Sequence, residues 1–247
     1  MSEIKTEKLQ KVIASLGLAS RREAERWIEA GRITINDTVA KLGDRVSEND
    51  MIYLDGKLIS QQSSKEKTRV LIYNKPIGEI CSRSDPKHSN NVFRNLPPLS
   101  TGRWIMIGRL DINTCGLLLF TNDGELANQL MHPSHEIERE YASRVLGEID
   151  GLILEKLQKG VELEDGMARF DKIRFVGGEG ANTWYHVVIK EGKNREIRRL
   201  WESQGIKVSR LLRIRFGNIE LPKNLKPGSY KELPEKEIQQ LRKRIVG

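Results

Sequence analysis

Residues 107–124 read Ile-Gly-Arg-Leu-Asp-Ile-Asn-Thr-Cys-Gly-Leu-Leu-Leu-Phe-Thr-Asn-Asp-Gly, which places one acid, Asp111, among small and apolar residues just ahead of a strand-like run. The run 117–120 is short, apolar and closed by the turn-forming Asn122-Asp123-Gly124, so it predicts a buried strand with a loop on either side. Asp111 then lies in the loop at the edge of a core. An Asp in that position either caps a turn through its own backbone or serves as a nucleophile.

A second segment carries cations at helical spacing. After Gly192-Lys193-Asn194, residues Ile197, Leu200 and Trp201 share one face while Arg195, Arg198, Arg199 and Glu202 share the other. This is either an ordinary amphipathic surface helix or a guanidinium row lining a groove. Arg210, Arg213 and Arg215 alternate along the next strand-like run and are expected to extend one positive face.

These groups need a scaffold, and the chain punctuates itself into one. Leu9, Val12, Ile13 and Leu16 put an apolar stripe on a short helix ending near Gly17. Ser20-Arg21-Arg22-Glu23 is a capping box, followed by inward Ala24, Trp27 and Ile28 and a stop at Gly31. Ile33 and Ile35 alternate with polar neighbours, and the run 51–54 leads into an Asp55-Gly56 hairpin turn. Residues 1–60 thus form a small helix-pair-plus-strands domain. Lys8, Lys11, Arg21, Arg22, Arg26, Arg32 and Lys41 give it a basic surface, with Arg21-Arg22 at a helix start where guanidinium groups and free amides can meet phosphate together. Residues 61–68 are polar and aperiodic, a linker. From 69 to 247, strand-like runs at 70–73, 141–146, 173–176 and 184–189 are interspersed with helices expected at 125–131, 152–158, 195–203 and 236–244. That order argues for an α+β domain.

Composition narrows the partners. The 247 residues carry a formal charge of +8 and a pI near 9.4, which favours an anionic partner such as nucleic acid. No apolar stretch is long enough to span a bilayer, and residues 1–5 lack the apolar core of a secretory signal, so a cytoplasmic protein is expected. Cys81 and Cys115 have no metal-ligand spacing and read as reduced structural thiols. In His132-Pro133-Ser134-His135 the proline prevents a helix from presenting both rings on one face, so a plain loop rather than a metal site is expected.

Gly108-Arg109-Leu110-Asp111 and its continuation resemble the active-site segment of the pseudouridine synthases, in the branch that acts on ribosomal RNA and carries an S4 domain in front. Lys75-Pro76 behind an apolar strand, Arg139-Glu140-Tyr141 and the run 191–200 resemble that family's other motifs in its chain order. Residues 1–60 resemble the S4 RNA-binding domain, so the likeness covers residues 7–241. It implies an S4-like domain followed by a catalytic domain built on one large mixed, mostly antiparallel sheet, with the active-site cleft across one face. It implies the conversion of one uridine of large-subunit ribosomal RNA to pseudouridine. That reaction breaks the glycosidic bond, turns the uracil and joins C5 to C1′ without net redox change, so no cofactor or metal is expected.

The resemblance also assigns roles. Asp111 would be the nucleophile, Tyr141 would stack on the uracil with its hydroxyl near C5, and Arg198 would pair with the acid, Arg195 being the alternative within the motif. Lys8, Lys11, Arg21, Arg22 and Arg32 in front, with Arg109, Lys193, Arg195 and Arg199 behind, would hold ribosomal RNA, free or in a preribosomal particle. The expected state is a monomer away from membranes. The competing reading is a non-catalytic ribosome-binding or assembly factor, which would have no need of a carboxylate in a basic cleft. A base-removing glycosylase and a DNA-binding protein are the remaining alternatives.

Overall fold

In a computed structural model of the chain, residues 6–59, 67–83, 85–86, 89–179 and 182–246 are described; residues 1–5 and most of the expected linker, 61–66, lie outside them. The chain divides into two compact units. The first holds the chain up to Thr68 together with Pro97–Ile105 and Asn122–Gly124, and the second holds the rest.

The first unit follows the sequence pattern closely. Helices Leu9–Ser15 and Arg21–Glu29 pack over a four-stranded sheet of Thr38–Val39, Ile33–Ile35, Ile52–Leu54 and Lys57–Ile59. Ser20 caps the second helix by accepting from the Glu23 amide at 3.1 Å. Leu9, Ile13, Ala24, Ile28, Ile33 and Ile52 form the core, with Val12 and Trp27 packed at its edge.

The second unit is built on a nine-stranded sheet. Its path runs Lys172–Glu179, Asn182–Ile189, Arg139–Leu146, Lys207–Phe216, Cys115–Thr121, Val70–Lys75 and Tyr230–Glu232, with Ile219–Glu220 and Ile105–Ile107 attached at the side. Val70–Lys75 is buried along its whole length and Cys115–Thr121 along nearly all of it, as befits central strands covered on both faces.

The pairing of Lys207–Phe216 with Cys115–Thr121 is parallel, in register Leu212 to Cys115 and Arg213 to Gly116. Gly116 makes this approach possible: it adopts φ +100°, and a Cβ there would stand 2.3 Å from the Arg213 carbonyl oxygen. The same strand pairs antiparallel with Arg139–Leu146, with register shifts between Glu140 and Tyr141 and between Arg144 and Val145. Plain alternation, which puts Arg210 and Arg213 on opposite faces, and the shift between Glu140 and Tyr141, which parts Arg215 from Arg213, overturn the single positive face expected of Arg210, Arg213 and Arg215. Arg213 is buried opposite Tyr141, Arg215 pairs with Glu138 and Glu140, and Arg210 lines a different hollow with Trp184 and Leu212.

Candidate active site

The loop between strands Ile105–Ile107 and Cys115–Thr121 carries Asp111, and each of its main-chain carbonyls from 111 to 114 is held by a donor. Lys75, at the end of its buried strand, is itself wholly buried and directs its ammonium to the carbonyl oxygens of Asp111 at 3.1 Å and Thr114 at 2.9 Å, and to that of Pro76 at 3.1 Å. The Gly78 amide donates to the Ile112 carbonyl at 2.9 Å. Arg198 Nη2 donates to the Asn113 carbonyl at 3.0 Å, and its Nη1 to Val208 at 2.9 Å. A turn bond from the Thr114 amide to the Asp111 carbonyl, 3.0 Å, closes the loop. Cations satisfying carbonyls in a dry setting make the stronger class of hydrogen bond, so the backbone of this loop is firmly held around Asp111.

Asp111 opens into a cleft of about 1520 Å³ across one face of the sheet. Tyr141, Arg139 and Arg213 line it from the strands, Cys81 and Arg109 from the neighbouring loops, and Lys193, Asn194 and Arg195 from the turn before the short helix Glu196–Glu202. Eight Arg and Lys side chains face five carboxylates around the lining, so the cleft favours an anion. Arg139 donates to the carbonyls of Lys190 and, at 3.1 Å, Glu191, which fixes the turn leading to Lys193. Arg139 and Arg213 flank the Phe216 ring, 5.4 and 5.5 Å from its centroid.

Burial sets the local acid–base behaviour. It pushes the Lys75 ammonium and the Arg139 and Arg198 guanidiniums below their ordinary values, Arg198 being lowered further by Arg195 and raised by Asp111. Burial likewise raises the Cys81 thiol, whose sulfur accepts from the Leu110 amide at 3.4 Å. It also raises the Glu196 carboxyl, which accepts from the Lys193 amide at 3.0 Å.

The structure brings the expected trio to one place, with a difference of geometry. Asp111 and Tyr141 face the cleft, whereas Arg198 is buried beneath the loop and reaches the backbone of Asn113. The helix therefore presents no single row of guanidiniums. Arg195 caps it in the left-handed region and lines the cleft, and Arg199 makes a two-pronged pair with Asp165 at 2.7 and 2.8 Å outside the lining. Arg109 and Lys193 line the cleft; Lys193 Nζ donates to the Met167 carbonyl at 2.6 Å. In the first unit Lys8, Arg21 and Arg22 are exposed, Lys11 pairs with Glu7 at 2.7 Å, and Arg32 pairs two-pronged with Asp55 beside Trp27.

Two residues that sequence reasoning left out of the site belong to its construction: Lys75 under the loop and Arg213 at the cleft wall. Each was signalled by a cation among apolar strand residues, Lys75 at the end of Val-Leu-Ile-Tyr-Asn-Lys and Arg213 within Leu-Leu-Arg-Ile-Arg-Phe. His132 and His135 are exposed on a short turn, and no group of three or more metal-ligating side chains occurs among the described residues. No helix there is long and apolar enough to cross a membrane.

Comparison with known proteins matches both units. The family described as RNA pseudouridylate synthase matches residues 69–203, and the S4 domain matches residues 7–52. The chain is 56% identical over 241 residues to ribosomal large subunit pseudouridine synthase B of Pseudomonas aeruginosa, covering 97% of this chain and 62% of that protein. It is 56% identical over 243 residues to the protein of the same name from Escherichia coli K12, covering 97% of this chain and 84% of that one. A crystal structure described as a pseudouridylate synthase superimposes with a TM-score of 0.66 at 26% identity, over 95% of this chain and 99% of the other.

Proposed function

The chain belongs to the RNA pseudouridylate synthase family, with an S4 domain in front, and from that premise we propose that it isomerises one uridine of large-subunit ribosomal RNA to pseudouridine, with Asp111 as nucleophile. The observation that carries this reading is the clamped loop: a carboxylate in a cation-rich cleft, on a backbone whose carbonyls are held one by one. Of the acids on the lining Asp111 is the one on a loop clamped in this way, and close positioning is what chemistry requires.

The target uridine must leave its stack to reach Asp111, at a cost of a few kcal/mol. Phosphate contacts offset that cost. Arg109 and Arg195 on the lining hold the backbone beside the cleft, Arg109 filling the gap left by the flipped base, while Arg21 and Arg22 of the S4 unit grip neighbouring RNA. Tyr141 stacks on the uracil, its hydroxyl near C5. Arg198 acts from below, holding the loop that carries Asp111 through the Asn113 carbonyl. We further take the enzyme to work as a cytoplasmic monomer, on RNA free or in a preribosomal particle.

The test is site-resolved pseudouridine mapping by carbodiimide primer extension on ribosomal RNA from cells lacking the gene, complemented with wild type or Asp111→Asn. One large-subunit pseudouridine should vanish, and wild type alone should restore it. No change at any site would instead favour a non-catalytic ribosome-binding factor.

A further inference from the structure

The buried cations of the cleft differ in what their donors touch. Lys75 and Arg198 donate to main-chain carbonyls at and behind the Asp111 loop, Arg139 to those of Lys190 and Glu191, and although Arg198 Nε is buried without a partner among the described residues, Arg198 does not line the cleft. Arg213 is different. It is 1% exposed, its Nε donates to the Leu117 carbonyl at 2.7 Å, and its Nη2 has no acceptor among the described residues. The side chain lines the cleft with Asp111 and Tyr141, the latter its partner across the strands. Thr114 Oγ1 is also buried on that lining without a partner, but a neutral hydroxyl carries no charge.

A guanidinium N–H buried without an acceptor is unfavourable unless a water, an ion or a ligand completes it, and one that lines a cleft beside a carboxylate and an aromatic ring is placed to be completed by a ligand. Resting on the reading of this cleft as the uridine site, we propose that Arg213 Nη2 donates to a carbonyl oxygen of the uracil and stabilises the charge the base acquires on detachment. When C1′–N1 breaks, its electron pair leaves on the base and spreads over N1 and the ring carbonyls. The Asp111 carboxylate stabilises the electron-deficient C1′ through the break and is released as C5 attacks it; the C1′–C5 bond forms, C5 loses its proton and N1 gains one, so atoms and charge balance without a co-reactant. A preset cation at the carbonyl interacts most strongly when that charge peaks, and so acts on the rate of the chemical step more than on RNA affinity. Arg213 is on this view a catalytic residue. Its Nε bond to Leu117 holds the group still.

The experiment measures single-turnover conversion of a large-subunit RNA transcript, RNA affinity and thermal midpoint for wild type, Arg213→Ala and Arg213→Lys. Arg213→Ala should lose about 10²- to 10³-fold in rate with affinity nearly unchanged, and added millimolar guanidinium should restore about tenfold or more. A lost hydrogen bond of purely structural importance would lower the midpoint and give no such rescue. Retention of the rate within a few-fold, or an unrescued loss, overturns the proposal. Should Arg213→Ala not fold, the charge-preserving Arg213→Lys decides: a folded variant with about a tenth of the rate supports the role, and one slowed by more than about 10³ contradicts it. Wild type that converts no uridine would remove the parent reading as well, whereas active wild type with an indifferent Arg213→Ala removes this inference alone.

Discussion

The ammonium of Lys75 donates to the main-chain carbonyl of Asp111 at 3.1 Å, joining the end of one central strand to the loop ahead of the next. The backbone of the proposed nucleophile is thereby fixed by a cation that does not line the cleft. Lys75→Met keeps the apolar stem and removes the donors, leaving the Asp111 and Thr114 carbonyls without their partner. The expected loss is about 3 kcal/mol of stability, read as a lower urea midpoint at unchanged m-value. A midpoint equal to wild type would show that the clamp contributes nothing.

Arg198 spans Asn113 and Val208 with two nitrogens, a geometry that a single ammonium cannot reproduce. Arg198→Lys should keep its charge yet lose about 10- to 100-fold in kcat with KM little changed, because the loop shifts while RNA binding persists. Steady-state kinetics on the RNA substrate separate this from a charge effect: if charge near Asp111 were all that mattered, the Lys variant would run at nearly the wild-type rate.

Cations on the cleft lining and the paired cation outside it predict different RNA behaviour. Arg109 and Arg195 line the cleft, Arg195 in a longer 3.7 Å pair with Glu202, while Arg199 is held two-pronged by Asp165 outside it. Alanine at 109 or 195 should weaken binding and reduce the salt slope of log K by about 0.7 for each phosphate no longer neutralised. Alanine at 199 should leave the slope within error. Filter binding across a salt series reads both.

How much of this was legible beforehand depends on period and on burial. The capping box at Ser20, the apolar stripe through Leu9 and Ile13 and the turn after Phe120 are local patterns, and each reappears where the spacing placed it. The large α+β sheet and its following of the S4 unit were legible from motif order, and Asp111 and Tyr141 do share a cleft. What spacing could not show is which way a cation points once strands bulge. The register shifts beside Tyr141 turned Arg213 inward and left Arg215 with Glu138 and Glu140. Helical spacing likewise put Arg198 and Arg199 on one face, but tertiary packing draws Arg198 under the loop and leaves Arg199 with Asp165.

Glu196 supplies a pH dependence. Burial raises its carboxyl above the ordinary 4.5 of the unfolded chain, so its contribution to stability is fully present below that value and is lost as pH rises through the folded value. Glu191 adds to the rise, while the Lys193 amide, the Lys193 charge and Arg139 oppose it. Glu196→Gln still offers an oxygen to the Lys193 amide but does not ionise. Its thermal midpoint should gain on wild type as pH rises above about 4.5 and then hold constant. A difference between the two proteins that is flat from about pH 4 to 8, or of the opposite sign, would exclude a raised Glu196.

The claim on which the rest depends is that the Asp111 carboxylate performs the chemistry, and the most direct measurement follows the C5 proton. With large-subunit RNA carrying tritium at C5 of uridine, wild type should release one tritium for each pseudouridine formed, while Asp111→Asn should bind the same RNA with similar affinity and release none above background. Release by Asp111→Asn within about tenfold of the wild-type rate would contradict the assignment and place the nucleophile elsewhere in the cleft.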